Sequence, residues 1–140
     1  MNNSLTLCVD ASVVIRHVTS EAIVKRWEKW MKAEAHIVAP TLLYYEVTNG
    51  LYRYQRAGIL PAETVKKALE AALALPVELV SNADLHMRAR NVATMYNLSA
   101  TYDAHYLALA QWMEVDLWTA DTRLVNSLKP YKLGWVKTIE

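Results

Sequence analysis

Four acids carry most of what could be chemistry in this chain: Asp10, Glu46, Asp103 and Asp121. Asp10 ends the short apolar run Thr6-Leu7-Cys8-Val9, and a carboxylate delivered to the end of a buried strand needs a partner. Asp121 follows a second apolar run, residues 115–120. Glu46 comes three residues after Leu43 in an amphipathic stretch, at the border of its apolar face. Asp103 opens another such stretch, on the same side as Tyr106, Leu107 and Ala110. None of the four has a Lys or Arg three or four residues away on its own helix to neutralise it.

Taken singly, the acids have ordinary explanations. Asp103 and Asp121 suit helix N-termini, where carboxylates meet free N–H groups and the positive end of the dipole, and Glu46 suits a half-exposed helix position. Gathered on one edge of one sheet, they would repel one another and raise some of their pKa values unless a cation were present. Mg²⁺ or Mn²⁺ answers that need, because hard ions take oxygen ligands, keep several waters and suit phosphate substrates. Two such ions about 4 Å apart activate water and stabilise the departing oxygen in phosphodiester hydrolysis. Ser12, Asn49 and Thr119 are short polar residues placed to orient metal waters or acids, and they fit equally well as a cap, a helix hydrogen bond and a strand end.

Other chemistries fit poorly. His17, His36, His86 and His105 show no HExxH or Cys/His zinc spacing and read as surface or core histidines. There is no GxGxxG, GxxxxGK[ST] or GxSxG, and three glycines could hardly build a phosphate cradle.

The elements that must position the acids alternate between strand and helix. Strands are expected at 5–9, 36–39, 77–80, 115–120 and 135–139. Ser12 is expected to cap the turn after the first strand. Helices are expected at 21–33, with Ile23, Trp27, Trp30 and Met31 on one face, and at 41–57, with Leu43, Val47, Gly50, Leu51 and Tyr54 inward. Gly58 suits the C′ position of the latter. Pro61 opens the next helix, with Val65, Ala68, Leu69, Ala72 and Leu73 in register, and Pro76 ends it. Helices at 82–96 and 102–113 follow, the second capped by Thr101. Asp121 caps a short helix to residue 128. Strands joined by helical crossovers imply an α/β fold: a three-layer α/β/α sandwich with a mostly parallel sheet of four to five strands. Ligands in such folds lie beyond the carboxyl ends of the strands, near the point where strand order reverses, which is where Asp10 and Asp121 fall.

Length and composition agree with this. The 140 residues suit one domain, 1–140, and 54% hydrophobic with 21% charged residues exclude a disordered chain. No window approaches the roughly 20 apolar residues of a membrane span, and Met1-Asn2-Asn3-Ser4 lacks the features of a signal peptide, which favours the cytoplasm. Cys8, the sole cysteine, reads as a small core residue. Setting aside the four acids leaves +5 from a net charge of +1, a mildly basic remainder. Arg16, Arg53 and Arg123 lie within about two turns of an acid and are candidate phosphate contacts, against their ordinary use as surface residues.

Val9-Asp10-Ala11-Ser12, Tyr45-Glu46-Val47-Thr48-Asn49, Thr101-Tyr102-Asp103-Ala104-His105-Tyr106-Leu107-Ala108-Leu109-Ala110 and Thr119-Ala120-Asp121-Thr122-Arg123-Leu124 together resemble the motifs of the PIN-domain family, and within it the VapC-type toxins of toxin-antitoxin pairs. The resemblance spans nearly the whole chain. It implies a three-layer α/β/α fold and a Mg²⁺- or Mn²⁺-dependent ribonuclease holding one or two ions on Asp10, Glu46, Asp103 and Asp121. Ser12, Asn49 and Thr119 would support them. It further implies RNA substrates such as tRNA or rRNA, products with a 5′-phosphate and a 3′-hydroxyl, homodimerisation, and neutralisation by a small antitoxin. The aromatics Trp27, Trp30, Tyr44, Tyr45, Tyr52 and Tyr54 could serve core, subunit, antitoxin or base stacking, and the sequence does not separate these uses.

Three rivals stand beside this reading. A structure-specific DNA nuclease would share the metal chemistry, but the chain has no long insertion to clamp a duplex. A non-catalytic RNA- or antitoxin-binding module could keep the acids for stability. A phosphotransfer receiver would need an aspartate directly after the third strand, where the chain has Ser81-Asn82-Ala83-Asp84.

Overall fold

The computed structural model describes residues 5–139; Met1-Asn2-Asn3-Ser4, read above for targeting, and Glu140 lie outside the described residues. Five strands form one sheet: β1 (Thr6–Val9), β2 (His36–Pro40), β3 (Val77–Val80), β4 (Asp116–Thr119) and β5 (Val136–Thr138). Their order is β3-β2-β1-β4-β5, and every neighbouring pair is parallel. β1 is the centre. Leu7, Cys8 and Val9 are buried, which explains an unbroken apolar run where a half-exposed strand would alternate. Cys8 is core, as its neighbours suggest.

The connections supply the outer layers. α1 (Ala11–Thr19) and α2 (Val24–Lys32) join β1 to β2, and α3 (Leu43–Arg56) and α4 (Ala62–Leu73) join β2 to β3. α5 (Asp84–Met95) and α6 (Tyr102–Met113) lead back across the sheet to β4, and α7 (Thr122–Leu128) leads on to β5. Right-handed crossovers in opposite directions from β1 place the first four helices on one face and the last three on the other. α1 accordingly packs on α3 and α4, whereas α6 packs on α5 and crosses β1, β2 and β4. α6 is the most enclosed helix, with Ala104, Tyr106, Leu107, Ala108, Leu109 and Ala110 all buried. Among the described residues, no helix is long and apolar enough to cross a membrane.

Several local expectations are corrected. Ser12 does not cap α1; Asp10, in extended conformation after the last strand residue, does so by accepting from the Val13 N–H. Thr101 precedes α6 in a helical conformation and makes no side-chain cap. Tyr54 and Leu73, placed inward by periodicity, are exposed, because each falls on the last turn of its helix where the chain peels away from the core. The aromatic cluster divides: Trp27 and Trp30 are buried, Tyr44 is half-buried with its hydroxyl on the Ala72 carbonyl at 2.9 Å, and Tyr45, Tyr52 and Tyr54 are exposed.

Gly58 takes a positive φ of 72° just past α3, the left-handed turn that ends the helix. Gly50 has a different role. A Cβ there would stand 2.5 Å from Ile15 Cδ1, so the missing side chain is what lets α3 approach α1. Gly50→Leu is therefore expected to lower stability by about 1–3 kcal/mol through overpacking. Urea unfolding checks this, and adding Ile15→Ala should restore part of the loss.

Candidate active site

Strand order reverses between β1 and β4, and both strands end in an acid that starts a helix. The two turns are stitched together. Ser12 Oγ donates to Asp10 Oδ1 and accepts the Ala120 N–H at 2.8 Å, so the turn after β1 is tied to the turn after β4. The Thr119 hydroxyl stands 3.3 Å from Ser12 Oγ, and since the Ser12 proton is committed to Asp10, Thr119 is the donor of that pair. Thr119 Oγ1 in turn accepts the Asp121 N–H at 3.0 Å. Ser12 thus bonds one of the four acids directly, and Thr119 bonds Ser12 and the backbone of another.

Asp10 is only 4% exposed. Its carboxyl is pushed up from 3.8 to about 6, chiefly by burial; hydrogen bonds from Ser12 and Val13 pull it down, and the charge of Asp103 adds to the rise. The Ser12 hydroxyl and the Val13 backbone N–H both donate to Oδ1. Asp121 repeats the pattern at α7, where Oδ1 accepts the N–H groups of Arg123 at 3.0 Å and Leu124 at 3.4 Å. The capping expected of Asp121 is thus observed.

Glu46, Asp103 and Asp121 line one open cleft of about 530 Å³ with Tyr102, Arg123 and the loop 97–100. Asp103 is raised above the usual carboxylate range by burial first, then by the charges of Asp121 and Glu46, with Arg123 opposing. The mutual repulsion expected of gathered acids is therefore present. Among the described residues, no three His, Cys, Asp or Glu side chains converge closely enough to cage an ion by themselves. The all-oxygen donor set of the cleft fits a hard ion such as Mg²⁺, which takes one or two carboxylates and keeps several waters.

Other candidates lie elsewhere. Asn49 is exposed and lines a separate groove with Tyr45, Tyr52 and Leu79 of β3 rather than the acid cleft. Arg53 borders a groove with Ile15 and Gly50, and Arg16 is exposed on α1. Of the three arginines, only Arg123 reaches the acid cleft.

Two contributors escaped the sequence reading. Tyr106, taken only as an inward helix residue, donates its hydroxyl to Glu46 Oε1 at 2.7 Å. Burial and the charge of Glu46 hold that hydroxyl well above the usual tyrosine range, so it stays a donor. A buried tyrosine one turn after Asp103 was a signal, since such a hydroxyl requires a partner. The second is the loop after α5, where Asn97 adopts a positive φ of 53° and turns the chain into the cleft wall.

The sequence matches the PIN domain over residues 7–127. The chain belongs to the PIN domain family. The PIN domain is generally a metal-dependent nuclease fold, and all four acids fall within the matched span. Among solved structures, the chain is similar to PAE2754 from Pyrobaculum aerophilum, with a TM-score of 0.70 and 20% identity over 96% of this chain and 90% of that one. At that identity the likeness concerns the fold. No curated protein matches.

Two predictions follow from these environments. Because folding raises the Asp10 pKa, the folded state holds the proton more tightly, and the stability this gives is full below about pH 4 and lost as pH rises through about 6. The difference amounts to about 3 kcal/mol. In chelator, Asp10→Asn should therefore raise the melting temperature at pH 8 and leave it nearly unchanged at pH 4, since asparagine still caps α1. Tyr106→Phe should cost about 2 kcal/mol in chemical denaturation by removing the donor to a charged, half-buried carboxylate.

Proposed function

We propose that this PIN domain is a Mg²⁺- or Mn²⁺-dependent endoribonuclease that cuts unpaired RNA, and that it serves as the toxin of a VapBC-type pair, held in check by a small antitoxin and acting as a homodimer. The observation that carries the nuclease reading is the cleft itself: three acids and one arginine face a common space, and their charges already perturb one another. Asp10, Glu46, Asp103 and Asp121 would hold one or two ions. When bound, the ions supply an activated water and charge stabilisation at the scissile phosphate. Ser12 and Val13 fix the orientation of Asp10, Tyr106 fixes Glu46, and Arg123 offers a guanidinium to a phosphate oxygen.

A single-stranded substrate is supported by the open cleft and by the exposed rings of Tyr45 and Tyr102, surfaces on which unpaired bases stack. The toxin role rests on the motif resemblance.

The test is cleavage of tRNA, ribosomal RNA, single-stranded DNA and a DNA hairpin by purified protein, with Mg²⁺, with Mn²⁺ and with chelator. RNA should be cut only with metal. Asp103→Asn should lower the rate by roughly 100-fold or more while leaving the fold intact by circular dichroism. Preferential cutting of the DNA hairpin would favour the DNA nuclease, and metal-independent RNA binding without cleavage would favour a binding module. A wild-type rate for Asp103→Asn sinks the metal mechanism.

A further inference from the structure

Beside the acid cleft lies a second pocket of about 290 Å³, where the carboxyl ends of β2 and β3 meet the starts of α5 and α6. Tyr102 lines both, so the two spaces border one aromatic side chain directly before Asp103 in the sequence. Leu85 forms an apolar part of the wall, Tyr45 brings a second exposed ring, and Asn82, His86 and His105 bring polar groups. The volume is near the lower end for small-molecule sites, enough for one ring system and too small for a length of chain.

The two histidines have a defined order. His105 Nδ1 stands 2.7 Å from the Thr101 carbonyl, which can only accept, so that nitrogen carries a proton. In the neutral ring, His105 Nε2 is then an acceptor, and it takes the proton of His86 Nδ1 at 3.0 Å. The chain of bonds ends on His86 Nε2 as an acceptor. Asn82 has its Oδ1 engaged by the Asp84 N–H at 2.9 Å, which leaves its amide NH₂ as a donor. An imidazole acceptor, an amide donor and two aromatic rings, with Thr41 and Ser81 also in the lining, are features that recognise the edge and face of a nucleobase.

We infer that this pocket binds one unpaired nucleobase of the strand whose phosphate lies in the acid cleft, with Tyr102 between base and phosphate; the inference rests on the nuclease reading above. The rings of Tyr45 and Tyr102 supply stacking, and His86 and Asn82 address the base edge. Base preference at the cut is then set on the β3 side of the sheet, away from the acids.

The full chain is titrated with adenosine 5′-monophosphate, uridine 5′-monophosphate and ribose 5-phosphate while the histidine ring signals are followed by NMR. The nucleotides should shift His86 and His105, whereas ribose 5-phosphate, which has the phosphate without the base, should leave them in place. His86→Ala, an exposed position, should weaken the better nucleotide by about fivefold or more. In cleavage, an abasic residue beside the cut should lower wild-type kcat/KM about tenfold and have little effect in His86→Ala. Histidine signals that stay fixed at saturating nucleotide, or that move equally with ribose 5-phosphate, overturn the base pocket. Absence of cleavage with the nucleotide shifts intact overturns the nuclease reading instead, because the titration needs no catalysis.

Discussion

The burial of one carboxylate at the centre of a parallel sheet is the constraint around which the rest is arranged. β1 is the middle strand of five, and its end is closed to water on both faces by helices. An acid there is costly without partners. The sequence answers with a serine two residues on, whose hydroxyl donates to the acid while accepting from the turn after β4. One side chain thereby satisfies the acid and locks the two strands that flank the reversal of strand order. Loss of Ser12 would disturb both turns at once, and with them the relative placement of Asp10 and Asp121.

The remaining acids arrive from different layers. Glu46 comes from a helix on one side of the sheet and Asp103 from a helix on the other, and they meet over the sheet's carboxyl edge. That meeting depends on close packing far from the cleft. At residue 50 the absence of a side chain leaves room for Ile15 of α1 against α3, and α6 can lie across three strands because its small alanines let the backbone approach. The Tyr106–Glu46 bond then spans the two layers.

Much of this was legible in the sequence, and the reasons are physical. The apolar run before Asp10, the helical spacing around Leu43 and Val47, and the prolines at element boundaries each reflect local rules that tertiary contacts reinforced. The acids could be placed on one edge because strand–helix alternation fixes which ends of the strands carry the turns. What was not legible depends on pairs distant in sequence. Ser12 looked like a cap because it stands where a cap could stand, yet its hydroxyl is used by a residue more than a hundred positions away. Periodicity assigned Tyr54 and Leu73 to the core because a helical wheel has no knowledge of where the neighbouring layer stops. Asn49 lay close to Glu46 in sequence but faces another groove, and only Arg123 of three basic candidates reaches the acids.

Asp10 and Asp121 are held in the same way, each through one oxygen. In each, Oδ1 is taken by N–H or O–H groups of the protein at the start of a helix. Those bonds select one rotamer of each side chain, so the conformational entropy of both carboxylates is given up during folding. Were a cation held on these acids as proposed above, it would meet groups that need no further ordering, and its affinity would not be reduced by the freezing of flexible side chains. The helices α1 and α7 therefore act as clamps on the acids that start them, and the rigidity of the site is a property of secondary structure already in place before any ligand arrives.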